Sequence, residues 1–406
     1  MEIKNPWIII IALLVVIACG AIVVLAELHN VAAEAPLPAL SARNGVVEAG
    51  LPAANGSAPV PGQLLVRNAT HRIITDMAGR VVTIPANISL VLCTSPPPTT
   101  FVYMLAPEKL GSVASKPTVA LTPVKTDNLS AVQENITISG PGQVNYEAYI
   151  AMHPDLVFIS CESGIADPSS ADLAQEKFGA IPVVCVDNAR NATMYGPTLL
   201  FMGDVLGVPD VAARQNKYYQ SVLAEVQQKV ATIPKDKRVR VYYAEGANGL
   251  STDPGGSCHS QLIEVCGGIN AAGSNSSFST DVVGVTKEYV LMHKPAVILS
   301  SSKEFIAQAY NDSTWQLTPA VRNHRVYLIP IKPNNWFDRP PGVNRIVGIP
   351  WTAHVLYPDL FTEDWFNAKA KEFYSLFYHV DLSDKDLADI LAQNAMDEIV
   401  TQGTGP

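Results

Sequence analysis

No basic stripe runs anywhere along this chain, and charge of either sign is scarce. Charged residues make up 16% of the 406 positions and the net charge is −9. A nucleic-acid surface needs clustered Lys and Arg, so that class of partner is set aside. The signatures of common catalytic chemistry are missing too. There is no Gly-X-Ser-X-Gly elbow, no Walker loop, no His-Glu-X-X-His and no Cys-X-X-Cys, hence nothing that gathers nucleophile, base and stabiliser in one place. Cys258 and His259 are adjacent, but neighbours on a helix point about 100° apart and make no catalytic pair. The six cysteines follow no metal-binding spacing. Cys93, Cys161 and Cys185 each end an apolar, strand-like run, and parallel neighbours could bring two of them together; buried free thiols are the alternative. Cys258 and Cys266 lie too far apart on a predicted helix to bridge each other.

What is plentiful is apolar sequence, 48% of the chain, enough for large cores and about two domains. One phrase occurs twice. Glu147-Ala-Tyr-Ile-Ala-Met-His-Pro154 runs on into Asp-Leu-Val-Phe-Ile-Ser160, and Glu288-Tyr-Val-Leu-Met-His-Lys-Pro295 into Ala-Val-Ile-Leu-Ser300. Each copy predicts a short apolar helix opened by Glu, stopped by Pro and followed by a buried strand. The copies are too widely spaced for a solenoid and imply two α/β lobes of similar build with a cleft between them. Apolar residues recur at spacings of three and four from Asp204 to Ile233, predicting one long helix that Pro234 stops. Alternating strands and helices elsewhere favour parallel sheets. The hairpin predicted around Ala78-Gly79 opens the first lobe. Thr94 to Thr100 reads as a loop before a helix, Phe101 to Leu105. Residues 363–400 read as amphipathic helices packed on the second lobe.

Ile8 to Ala26 is an unbroken apolar run long enough to cross a bilayer. Val-Ile-Ala-Cys19 also fits a lipoprotein cleavage box, and either reading tethers the chain to a membrane. Asn-X-Ser/Thr sequons at Asn55, Asn68, Asn87, Asn128, Asn135, Asn191, Asn275 and Asn311 fit a glycosylated surface or simply a Ser/Thr/Asn-rich one. The division that follows is an anchor or signal over 1–28, a tether over 29–62, a first lobe over 63–203, the connector over 204–234 and a second lobe over 235–406. The fold class is thus two doubly wound α/β lobes joined by one long helix, behind an N-terminal membrane anchor, with the folded part extracytoplasmic.

Four phrases then resemble a known family. They are Gln261-Leu-Ile-Glu-Val-Cys-Gly-Gly-Ile-Asn270; Asn145-Tyr-Glu147 with Pro154-Asp-Leu-Val157; Val285-Thr-Lys-Glu288; and Asn335-Trp-Phe-Asp-Arg339. In order and spacing they resemble the cluster A-II (class III) substrate-binding proteins of ABC importers for iron–siderophore, haem and cobalamin, over roughly residues 72–360. The resemblance implies a non-enzymatic role, a permease and an ATPase as partners, a shallow cleft and little hinge motion. By motif match it also implies docking of Glu147 and Glu288 on the permease. A carboxylate favouring a helix's first turn is the plain alternative for each.

Ligands of doubly wound lobes sit at the carboxyl ends of strands. That rule selects Pro97, Thr99, Gln143, Tyr243, Thr252, His259, Trp336, Asp338 and Arg339. The fork of Arg339 suits a carboxylate, catecholate or oxyanion, or else a structural ion pair. Trp336 could stack on a planar ligand or pack in the core, and His259 could ligate a metal within the ligand or simply be satisfied. The first-lobe loops carry Pro141, Ser115 and Cys161 where the cobalamin-binding pattern has aromatics. The expectation is therefore an iron(III) chelate as metal-complex ligand, with cobamide and molybdate or tungstate behind it and no cofactor. A surface receptor without transport, or an enzyme of the related nitrogenase-like or chelatase type, are the competing classes.

Overall fold

The computed structural model describes residues 62–111, 144–161, 169–187, 190–273, 282–331, 333–339 and 341–392. The apolar N-terminal run, the tether up to residue 61, Gln143, Pro141 and Ser115 lie outside them, as do Asn55, Asn128, Asn135 and Asn275. No helix among the described residues is long and apolar enough to cross a membrane.

The chain opens with an antiparallel three-stranded sheet: β1 (Gln63–Arg67), β2 (His71–Thr75) and β3 (Val81–Pro85). The predicted turn falls between β2 and β3, where Gly79 takes a left-handed φ of 81°. Then come β4 (Val91–Cys93), α1 (Pro96–Leu105), α2 (Tyr146–Ala151), β5 (Leu156–Cys161), α3 (Ser169–Phe178), β6 (Val183–Asp187) and α4 (Tyr195–Leu206). Strands β4, β5 and β6 form a parallel sheet in that order. The triple proline belongs to the first turn of α1, not to a loop. First-turn amides have no intrahelical partner, so a helix loses little where proline lacks N–H.

The long helix is α5 (Pro209–Ala231), 23 residues and about 34 Å. The prediction started it at Asp204, but Asp204 lies in the last turn of α4. Gly207 caps that helix in a left-handed conformation, and Pro209 then presets the first turn of α5. The apolar spacing ran through both helices because each buries a face in the same core.

The second half contains β7 (Arg240–Ala244), β8 (Ser251–Thr252), α6 (Gln261–Val265), β9 (Ile269–Asn270), β10 (Val283–Gly284), α7 (Lys287–His293), β11 (Val297–Ser300), α8 (Lys303–Asn311), α9 (Pro319–Arg322) and β12 (Val326–Leu328). Its parallel sheet has the order β12-β11-β7-β9. α10 (Arg345–Leu356), α11 (Glu363–Tyr378) and α12 (Asp384–Ala392) complete the chain.

Period-two alternation gives both parallel sheets two buried faces. Val91, Cys93, Phe158, Val184, Val241, Tyr243 and Leu299 join one core that runs through Tyr219 and Val226 of α5. Leu92, Val157 and Val183 fill a second cluster beneath α3, and Tyr242, Ile298 and Val326 a third beside α8. Cys161, the last residue of β5, and Cys185, in the middle of neighbouring β6, form a disulfide with Cα atoms 5.9 Å apart. Cys93, Cys258 and Cys266 are free and buried.

Buried polar ties hold the two halves together. Gln215 of α5 donates to the Met104 carbonyl of α1 and the Leu376 carbonyl of α11. The wholly buried Arg345 donates to the Tyr195 hydroxyl and to the Arg190 and Cys258 carbonyls. Gln261 takes the Ala192 amide and donates to Asn191.

Candidate functional site

One cluster gathers most of the predicted second-half residues. Its parts come from four places: the end of β7, the end of β8, the turn before α6 and the loop 335–339. Glu245 follows β7 directly. The chain reverses through Gly246 and Gly249, both at positive φ, and Gly249 approaches Phe305 so closely that a Cβ would lie 2.1 Å from its ring. This turn returns the chain into β8 and delivers Asp253 beside Glu245. In the fourth element the Asn335 side chain accepts the Phe337 and Asp338 amides, an Asx turn that points Asp338 and Arg339 back toward β7.

Arg339 is the hub. Its Nε donates to Glu245 Oε1 at 2.6 Å and its Nη2 to Asp253 Oδ2 at 2.7 Å, while Asp338 Oδ2 lies 3.4 Å from Nε. Asp253 also accepts from Ser257 at 3.0 Å. Asp338 accepts from His259 Nδ1 at 2.6 Å and from the Tyr243 hydroxyl at 3.1 Å. Asp253 and Asp338 are fully buried, whereas the Arg339 side chain is 41% exposed and that of His259 12%. Arg339 Nη1 and His259 Nε2 make no hydrogen bond to the described residues. The cluster thus presents two buttressed cations whose remaining donors are unspent.

The ionisation states follow from these contacts. Burial disfavours the His259 imidazolium, but the hydrogen bond and charge of Asp338, with Cys258 beside it, prevail and raise its pKa to about 9. Burial raises the Glu245 carboxyl to about 7, with Arg339 opposing and Asp253 adding to the rise. For Arg339 the carboxylates around it outweigh burial and keep it charged. Asp253, His259 and Asp338 each have a donor atom within 4.8 Å of the others. Both carboxylates are already held by Arg339, Ser257, Tyr243 and His259, so the group is charge-paired and we assign it no metal.

The other predicted residues are placed differently. Trp336 is fully buried and packs on Phe366 and Tyr374. The expected stacking face is therefore replaced by core packing, because α11 supplies the rings that cover the indole. Tyr243 is also buried, with its ring 5.0 Å from Phe337, and supports Asp338. Thr252 is buried and its hydroxyl has no partner. Pro97 and Thr99 lie in the first turns of α1, and the Thr99 hydroxyl is spent on the Ser95 carbonyl. Neither is brought to the Arg339 cluster by any hydrogen bond. His259 precedes α6 rather than lying within it. Glu245, Asp253 and Ser257 went unselected in the sequence. The signal for Glu245 was its place at the carboxyl end of a parallel strand.

The repeat is also a structural repeat. Asn145 and Thr286 cap α2 and α7, accepting from Ala148 N at 3.0 Å and Tyr289 N at 3.2 Å. Tyr149 and Val290 are the buried anchors. His153 (φ 51°) and Lys294 (φ 47°) then take left-handed conformations before Pro154 and Pro295. Glu147 and Glu288 are exposed at matching positions. The Glu288 carboxyl is held below the usual range by its own amide and the Thr286 hydroxyl.

Two parallel-sheet halves coupled by one long helix, with a polar cluster at strand carboxyl ends, are the architecture expected of a solute-binding protein. Residues 91–333 match the periplasmic binding protein family, and the chain belongs to that family, in its class III ABC-importer branch. The molybdate-binding protein MolA of Haemophilus influenzae is 27% identical over 335 residues, covering 76% of this chain and 91% of MolA. An uncharacterised ABC transporter substrate-binding lipoprotein of Bacillus subtilis, YvrC, is 26% identical over 55% of this chain and 68% of its own length. Among solved structures, an ABC transporter solute-binding protein from Sulfurospirillum deleyianum superposes with a TM-score of 0.70 at 28% identity, covering 79% of this chain and 99% of that one. The chain is the substrate-binding component of an ABC importer, a role that implies a permease and an ATPase as partners.

Proposed function

We propose that this protein captures a small metal oxyanion of the molybdate or tungstate type outside the cytoplasm and delivers it to its permease. The observation that carries this reading is the pair of unspent donors, Arg339 Nη1 and His259 Nε2, each fixed from behind by carboxylates. Such donors favour a compact anion that accepts several charge-assisted hydrogen bonds. The relative named for molybdate binding supports the same class. The sequence pointed first to an iron(III) chelate, which Arg339 could also hold. The aromatic residues beside the cluster, Trp336, Phe337 and Tyr243, are all buried and offer no face to a macrocycle, which argues against haem and cobamide. The apolar run before residue 28 and the sequons fit an anchored, extracytoplasmic protein. In delivery, Glu147 and Glu288 are the residues we assign to permease contact.

The test is a titration of the purified folded part against molybdate, tungstate, sulfate, a ferric siderophore, haem and a cobamide. Molybdate or tungstate is expected to bind below about 10 µM, near 6.8 kcal/mol. Tight binding of the ferric siderophore alone would transfer the assignment to the iron reading.

A further inference from the structure

The Arg339 cluster holds more negative charge than its cations balance. Glu245, Asp253 and Asp338 face Arg339 and His259, so even with the imidazole protonated one negative charge is left over. That surplus is buried, since Asp253 and Asp338 are fully inaccessible and Glu245 is 7% exposed. Two carboxylates close together in a water-poor site do not both stay ionised; one takes a proton.

Hydrogen bonding identifies which one. Asp338 has both oxygens engaged, by His259 and by Tyr243. Asp253 has both engaged, by Ser257 and by Arg339. Glu245 has only Oε1 engaged, by Arg339 Nε, and its Oε2 is buried without a donor. Arg339 offers Glu245 and Asp253 the adjacent Nε and Nη2 of one guanidinium edge, which forces the two carboxyl groups side by side. The groups that face Glu245 are Arg339 and Asp253, with Tyr242 and Tyr243 nearby, while Asp338 lies across Arg339 and His259 beyond Asp338. None of the uncharged neighbours supplies the missing donor.

We propose that Glu245 carries a proton shared with Asp253 across the edge of Arg339, and that an anionic solute binds more tightly when this proton is in place. The proton adds no new contact to the solute. It removes one negative charge from behind the donors and so strengthens their field toward the cleft. Loss of that proton weakens binding, so the affinity of the receptor follows the acidity outside the membrane. The position of Glu245 near pH 7 sets the working range. This coupling rests on the oxyanion reading of the cleft, but the protonation of Glu245 itself does not.

The experiment has two arms. In the first, melting temperatures of ligand-free wild type and Glu245→Gln are compared between pH 5.5 and 8. A carboxyl whose folded pKa lies above its unfolded value stabilises the fold below the unfolded value, and that stability is lost as pH rises toward the folded one. Wild type is therefore expected to lose a few degrees more than the variant over this range. Parallel profiles would overturn the proposal. In the second arm, inorganic molybdate affinity is measured from pH 6 to 8, where molybdate remains a dianion and His259 stays protonated. Wild-type affinity is expected to fall above pH 7 with a slope approaching about tenfold per pH unit. Glu245→Gln, whatever its absolute affinity, is expected to lose that slope. Binding by wild type without pH dependence also overturns the proposal. No molybdate or tungstate binding at any pH overturns the oxyanion reading and with it the coupling; the first arm then still decides whether Glu245 holds the proton.

Discussion

Arg339 has a φ of 36° and is followed by a proline in the sequence. An L-residue with a side chain avoids this region at a cost of roughly 1–2 kcal/mol, so the carboxylates around it hold a strained backbone in place. Two substitutions separate the backbone from the side chain. Arg339→Ala is expected to weaken oxyanion binding by about 100-fold, near 2.7 kcal/mol. Arg339→Gly is expected to bind as poorly but to be about 1 kcal/mol more stable than the alanine variant. Urea unfolding of the two variants reads the difference, and equal stability would show that no strain is stored. The sequence singled out Arg339 for its fork and its motif. It did not disclose the partners, because Glu245 and Asp253 reach the guanidinium only after the turn at Gly246 and Gly249 has folded back on β7.

Loop and helix meet without a spacer at Gly348 of α10. A Cβ there would lie 1.7 Å from the Trp336 carbonyl oxygen. That contact, with the Asn344 side chain donating to the Asn334 and Asn335 carbonyls, fixes the height of the loop and hence of Asp338 and Arg339. Gly348→Ala is expected to destabilise the protein by about 2 kcal/mol or more and to weaken ligand binding although it touches no ligand. Denaturant unfolding and a molybdate titration check both effects, and unchanged affinity would separate the loop from the helix. Most elements were legible in the sequence, since continuous apolar runs mark β4, β5, β7 and β11 and period 3.6 survives in α5. The break between α4 and α5 was not read because both helices share the core and the apolar spacing continues across Gly207. Trp336 illustrates a similar limit. An aromatic in a loop gives no sign of which side the helix beneath will occupy.

For the molecule as a whole, the two copies of the repeat present Glu147 and Glu288 to solvent from equivalent short helices, away from the polar cluster's hydrogen-bond network. Charge reversal at both, Glu147→Lys with Glu288→Lys, is expected to leave the dissociation constant of the purified protein within about twofold. The same change should abolish uptake in cells, since like charges meeting at an interface cost several kcal/mol. A large change in solute affinity would instead tie these residues to the ligand. The continuous core through α5, tied by Gln215 and Arg345, resists separation of the halves, in keeping with the little hinge motion that the resemblance implied.

The sequence by itself determined the α/β class, the doubled phrase and the long helix that Pro234 stops, and its motifs offered Asp338 and Arg339 as candidates, because periodicity, proline stops and short motifs are local. Tertiary structure alone decided that Cys161 bridges Cys185, that Trp336 belongs to the core, and that three carboxylates converge on one guanidinium. Those facts depend on which distant segments become neighbours. Charge pairing and burial arise only between such neighbours, so no local pattern carries them.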